Sequence, residues 1–179
     1  MYENPVGVWT PGTDSQAFEA QTAALKTALL IATVLDRVLI LPRFHCLRKS
    51  TVVDCPLNSL LRITAFDSAF ATRYRESNFL RHPLVPDAVR RSVSPLYFLA
   101  NSTESLTINN STTIAVQRNS TQSLYDDEVK QLLGADQHQL VSLASLEHIR
   151  VTFRSLVQQT SFDKTLAASF KRSDYRQLS

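Results

Sequence analysis

Residues 15–42 read SQAFEAQTAALKTALLIATVLDRVLILP, and this stretch decides the fold. Phe18, Leu25, Ala28, Leu29, Ala32 and Leu35 recur at steps of three, four and seven, which puts them on one helical face. The interior is rich in Ala and Leu and lacks Gly and Pro, which favours helix. Asp14 or Ser15 can N-cap it, with Glu19 in the first turn. The pattern predicts a helix over 15–35 that stops at Asp36-Arg37. Val38-Leu39-Ile40-Leu41 then reads as a fully buried strand closed by Pro42.

On the N-terminal side, Val6 to Trp9 is a short apolar run stopped by Thr10-Pro11-Gly12, which reads as a strand and a turn. Strand, helix and all-apolar strand make a βαβ unit, the mark of a parallel sheet covered by helices. Val6–Trp9 and Val38–Leu41 are expected to be neighbouring parallel strands. On the C-terminal side, Phe44 to Asn58 reads as a loop and Leu60 to Thr64 as a strand. A helix is expected from Ser68 to about Leu80, capped by Asp67, with Arg73, Arg75 and Glu76 on its polar side. His82-Pro83, Val85-Pro86 and Ser94-Pro95 punctuate the next stretch of chain. A Ser/Thr/Asn tract, Thr103 to Gln122, has a β-prone core at Thr112–Val116. Asp126–Leu133 reads as a short helix, Leu140–Leu146 as either element, Ile149–Phe153 as a strand and Phe162–Phe170 as a closing helix. The whole, 1–179, reads as one α/β domain with an insertion around 100–124.

Composition excludes several classes. The chain is 44% hydrophobic and 20% charged, as globular proteins are. The net charge is +3, and no basic run exceeds Arg90-Arg91 or Lys171-Arg172, which argues against a nucleic-acid face. Three glycines cannot build a Gly-rich phosphate loop. No stretch reaches the ~18 apolar residues of a membrane span; the longest, Ala23–Leu35, is interrupted by Lys26. Residues 1–5 have neither the charged nor the apolar region of a signal peptide, so if the domain is secretory its targeting segment is expected to have been lost or to lie upstream in a longer parent.

Two features point to the secretory pathway. Cys46 and Cys55 share one short polar loop, and together with the glycosylation sequons this leads to the expectation of a disulfide between them; the alternative on spacing alone is two unrelated buried thiols. Asn101, Asn109, Asn110 and Asn119 each begin an Asn-x-Ser/Thr glycosylation sequon, though the richness of the tract in Ser and Thr raises the chance rate.

Candidate chemistry gathers at strand ends. The turn Gly12, Thr13, Asp14, Ser15, Gln16 joins strand to helix, where a phosphate-bearing ligand such as a sugar nucleotide binds in open α/β sheets. Its alternative is an ordinary capped turn, and the charge of Asp14 would repel a diphosphate. Arg43 and His45 come just after the buried strand, so Arg43 could hold a phosphate and His45 act as a base; the alternative is surface residues leading into the cysteine loop. Arg73 to Leu80 could contribute to an acceptor cleft or simply pair charges along a helix end. No metal site is expected: His82, His138 and His148 lack ligand spacing, and Asp126-Asp127-Glu128 reads as a cation site or, in preference, a solvated helix start.

Gly12 to Glu19, the Ala/Leu helix and Leu35 to Pro42 together resemble the start of the GDP-fucose protein O-fucosyltransferase-like family, with Gly12, Gln16, Glu19, Arg37 and Pro42 in register. Phe66-Asp67, Arg75-Glu76-Ser77 and the tail Ile149–Phe170 are similar to later landmarks of that family. Asp14 and Ser15 stand where the family has two Asn residues, and Ala17 where it has Arg. The resemblance implies a Rossmann-like, mostly parallel sheet forming the N-terminal half of a two-domain GT-B glycosyltransferase. It further implies GDP-fucose as donor, a protein or glycan hydroxyl as acceptor, no metal or other cofactor, and a lumen of the endoplasmic reticulum or Golgi. Most of the donor site would belong to the second half, so the chain alone is expected to be inactive. The alternatives are a non-catalytic module derived from such a fold, or an unrelated α/β domain.

Overall fold

The computed structural model describes residues 14–41, 43–48, 51–55, 57–91, 93–100, 112–116, 123–133, 140–144 and 150–170. Helix α1 spans Asp14–Val34 and leads into strand β1, Val38–Ile40, as the opening pattern predicts. Between them the Leu35 and Arg37 amides bond back to Ile31 and Ala32 carbonyls, and Asp36 takes the left-handed conformation (φ 55°). A glycine usually fills that position; Asp tolerates it better than most residues. Leu29, Leu30, Ile31 and Ala32 have no exposed surface at all, so α1 is buried on more than the single face expected. The reason is that it packs on β1 and also on elements from the C-terminal half of the chain.

After β1 the chain forms an antiparallel hairpin, β2 (Phe44–Arg48) with β3 (Thr51–Cys55), where a loop is expected. A 3-10 turn, Leu57–Ser59, comes next. The expected strand at 60–64 is a single bridge, Leu61 to Phe170, and then helix α2, Ile63–Phe70. That helix ends at Phe70, where the expected one was only beginning, and it gives way to β4, Tyr74–Arg75. Ile63, Phe66 and Phe70 explain the shift: their spacing already makes an apolar helical face before Ser68, with Phe66 and Phe70 buried. Asp67 is no cap. It sits inside α2, and its carboxylate accepts a hydrogen bond from the Tyr74 hydroxyl.

A 3-10 turn at Phe79–Arg81 and the short helix α3, Asp87–Arg91, lead to β5, Val93–Ala100. Strand β6 is Thr112–Val116, the β-prone core of the Ser/Thr/Asn tract. Then come β7 (Ser123–Tyr125), α4 (Asp126–Leu133), β8 (Leu140–Ala144), β9 (Arg150–Thr152) and α5 (Leu156–Ser169). Helix α5 starts six residues earlier than the expected 162, because Ser155 caps it by accepting from the Gln158 amide. Its first residues, Leu156 and Val157, are exposed, so no apolar periodicity announces them.

Five strands form one sheet in the order β4-β1-β8-β5-β6, and every pairing in it is parallel. The fold is therefore mixed α/β around a parallel sheet. Strand β1 is flanked by β4 and β8, both from later in the chain. The strand expected at 6–9 lies outside the described residues. Strands β7 and β9 form a separate parallel pair, with Leu124 against Val151 in its buried centre.

The core joins these layers. Leu25 to Ala32 of α1 meet Leu39 and Leu41 around β1, Leu124 and Val151 of the small pair, and Val129 and Leu133 of α4. A chain of aromatic rings continues it: Tyr74 to Phe66 (4.8 Å), Phe66 to Phe70 (5.2 Å), Phe70 to Phe162 (6.0 Å) and Phe162 to Phe153 (5.8 Å). These are tilted or edge-on contacts in the favourable range of ring geometry, and they fasten α2 and β4 to α5.

Candidate functional site

Because the five strands are parallel, their carboxyl ends share one edge of the sheet. The connection from β1 leads to β4 on one side, whereas that from β5 leads to β6 on the other. The direction reverses across β8, between β1 and β5, and such a reversal is where open α/β sheets form their ligand crevice. The β2–β3 hairpin is the next element after β1 in the chain.

Gln21 holds the hairpin against α1. Its side-chain amide donates to the His45 carbonyl (2.9 Å), and its side-chain oxygen accepts from the His45 amide (2.8 Å). Gln21 is only 9% exposed, so these bonds are largely shielded from water. The N-terminal half of α1 thus lies beside the hairpin, at the same edge of the sheet as the carboxyl end of β1.

On the outer face of the hairpin, three side chains converge. His45 and Asp54 are directly opposed in the strand register. Asp54 Oδ1 lies 3.2 Å from His45 Nδ1, and Asp54 Oδ2 accepts a 2.9 Å hydrogen bond from Arg43 Nη1. One carboxylate therefore meets both candidate side chains. About half of the Arg43 and Asp54 side chains is exposed, so their ion pair contributes only about 0.2–1 kcal/mol. The two residues that sequence reasoning missed are Asp54 and Gln21. The β-branched run Thr51-Val52-Val53 was the available signal that Asp54 sits on a strand.

The remaining candidates are more scattered. Gly12 and Thr13 lie outside the described residues. Asp14, Ser15 and Gln16 form the first turn of α1, and their side chains are outside the described part of the structure. Arg37, one of the positions on which the resemblance rests, is 7% exposed and donates to the Leu133 carbonyl at the end of α4 (3.2 Å), a packing role. In the stretch expected to contribute to an acceptor cleft, Arg73 pairs with Asp36. Arg75 donates to the Ala71 and Tyr74 carbonyls, its guanidinium 5.9 Å from the Phe79 ring centroid. His82 Nδ1 accepts from the Leu84 amide (3.3 Å). His138 and His148 lie outside the described residues, as do Asn101, Asn109, Asn110 and Asn119.

Cys46 stands opposite Val53 and Cys55 opposite Phe44, so the cysteines are diagonal neighbours on one face of the ribbon. Diagonal Cα atoms are ~7–8 Å apart, at the limit of what a disulfide spans. The cysteine side chains are outside the described part of the structure.

The carboxylates at the start of α4 have structural partners. Asp126 accepts from the Arg154 amide (2.8 Å), and Glu128 from the Tyr125 amide (2.8 Å). Asp127 is clasped by the Arg154 guanidinium at 2.8 and 3.1 Å, and that guanidinium also lies 4.4 Å from the Tyr125 ring centroid. The Arg154 hydrogen bonds hold the Asp127 carboxyl below its ordinary range. Among the described residues no group of three or more His, Cys, Asp or Glu is placed to hold a metal ion, and no helix is long and apolar enough to cross a membrane. No protein-family model, no curated protein and no solved structure matches the chain.

Proposed function

We propose that this chain is one wall of a sugar-nucleotide glycosyltransferase, the Rossmann-like N-terminal half of a GT-B enzyme that transfers fucose from GDP-fucose to a protein or glycan hydroxyl. The observation that carries the reading is the placement of Arg43 and His45 at the reversal point of a parallel sheet, beside the N-terminal half of α1. That edge offers the chemistry such a transfer needs. Arg43 supplies charge for the donor diphosphate. His45 has its Nδ1 beside Asp54, which leaves Nε2 to take the proton of the attacking hydroxyl. The hydroxyl oxygen then bonds to the sugar's anomeric carbon as GDP departs with the electron pair of the broken bond. The resemblance supplies the identity of the donor, and the sequons and the cysteine pair support a secretory lumen. Two titratable thiols in protein made in an oxidising compartment would remove the cysteine argument.

Affinity in a cleft between two walls depends on groups converging from both. The isolated chain is therefore expected to show no turnover and to bind GDP-fucose or GDP weaker than micromolar in calorimetric titration. Micromolar binding, about −8 kcal/mol, would mean that one wall suffices and that the site is misjudged. A second reading, a non-catalytic module, is favoured by one observation: Asp54 already neutralises Arg43. It predicts that no GDP-sugar binding emerges even when that neutralisation is removed.

A further inference from the structure

We infer that Arg43 and His45 form an anion site whose resident occupant is Asp54, and that a diphosphate must displace this carboxylate from Arg43 in order to bind. The inference rests on the proposed donor crevice and adds how that crevice is held closed.

Two side chains meet the two oxygens of one acidic group: Arg43 Nη1 donates to Oδ2 at 2.9 Å, and His45 Nδ1 lies 3.2 Å from Oδ1. That is the geometry in which a phosphoryl oxygen pair is bound, with a carboxylate in its place. Strand register, not chance approach of mobile side chains, brings them together: His45 and Asp54 are opposed across β2 and β3, and Gln21 fixes the His45 backbone at both its amide and its carbonyl. With Asp54 in place the positive charge of Arg43 is cancelled, and an incoming diphosphate meets a like charge. The closure is nonetheless weak. Arg43 and Asp54 are each about half exposed, and pairs of that kind are among the least stabilising ionic contacts. A ligand carrying two or more negative charges outcompetes a single carboxylate for Arg43 while Asp54 keeps its other oxygen on His45. Binding would then release Arg43 to the donor and leave the imidazole held by Asp54 alone.

The test uses inorganic pyrophosphate as probe, titrated calorimetrically at low ionic strength into the full chain, with phosphate and GDP as further arms. Asp54→Asn keeps the size of the side chain and removes its charge. It should bind pyrophosphate roughly tenfold more tightly than the parent chain, the change that 1.4 kcal/mol brings. The double change Arg43→Ala with Asp54→Asn should lose that gain. Equal or weaker binding by Asp54→Asn overturns the inference, and so does a gain that survives loss of Arg43. Asp54→Ala repeats the measurement with a second side chain in case the amide forms its own bond to Arg43. The GDP arm separates the two readings. If Asp54→Asn gains for pyrophosphate but GDP binds no better than pyrophosphate, the anion site stands and the sugar-nucleotide reading falls.

Discussion

Replacing Gln21 with Leu tests how the candidate site is attached to the fold. Leu nearly fills the same volume and suits a helix, so α1 itself should persist. What disappears is the pair of hydrogen bonds to the His45 amide and carbonyl, at 2.8 and 2.9 Å. Each such bond contributes about 0.5–1.5 kcal/mol net, so the pair is worth about 1–3 kcal/mol. The His45 backbone groups then have two options. They can stay dry and unpaired, in which case the whole domain is destabilised, or the hairpin can lift off α1 and let water in. Exposure of the neighbouring Arg43 and Asp54 side chains makes lifting the easier course. The loss should therefore show mainly as local opening. Hydrogen exchange at the His45 amide should accelerate about 5–150-fold, the factor corresponding to 1–3 kcal/mol. The urea midpoint should move less than that energy implies if opening is local. Unchanged His45 protection together with an unchanged midpoint would refute the clamp.

Three further predictions concern the frame. Phe66→Ala deletes a fully buried ring that touches Phe70 and Tyr74; it should cost about 3–5 kcal/mol in denaturant unfolding, and a loss under 1 kcal/mol would contradict the packing. Burial first, then the hydrogen bond to Asp67 and the charge of that carboxylate, push the Tyr74 phenol above its ordinary value of 10.0. Above pH 10 the unfolded chain releases that proton while the native one keeps it, so stability should fall as pH rises, and Tyr74→Phe should flatten the decline in alkaline melting curves. The Asp127 carboxyl titrates below its unfolded value, so its contribution is present at neutral pH and is lost as pH falls through that folded value; Asp127→Asn should be less stable at pH 7 and should show a shallower acid limb.

Much of the frame is legible in the residues because burial imposes a period. The run 15–41 reads as helix and strand, since Leu25, Leu29 and Ala32 repeat at helical spacing and Val38 to Leu41 are uniformly apolar, but Val38 and Ile40 are half-buried where a fully buried strand is expected. Asp126–Leu133 reads to the residue, because three acids open the helix and Val129 and Leu133 are its buried face. The reading slips at 60–80. There Asp67 has the chemistry of a cap, but the apolar spacing of Ile63, Phe66 and Phe70 outweighs it, and Asp67 instead partners Tyr74. The first turns of α5 escape it too, because Leu156 and Val157 face solvent and no burial pattern exists to be read.

The candidate site is legible only in part, for a related reason. Arg43 and His45 can be named because they come just after a strand, and strand ends are where ligands meet α/β sheets. Asp54 cannot be paired with them as long as 44–58 reads as a loop, since a loop has no register. Once β2 and β3 are antiparallel, His45 and Asp54 must face each other, and the chemistry changes accordingly. An arginine beside a histidine reads as a place for an anion; in the fold a carboxylate of the same chain already stands there, paired with Arg43 and 3.2 Å from the imidazole. The sign of the local charge at this sheet edge is therefore decided by a pairing some ten residues along the chain, and Asp54→Asn is the single change that exposes it.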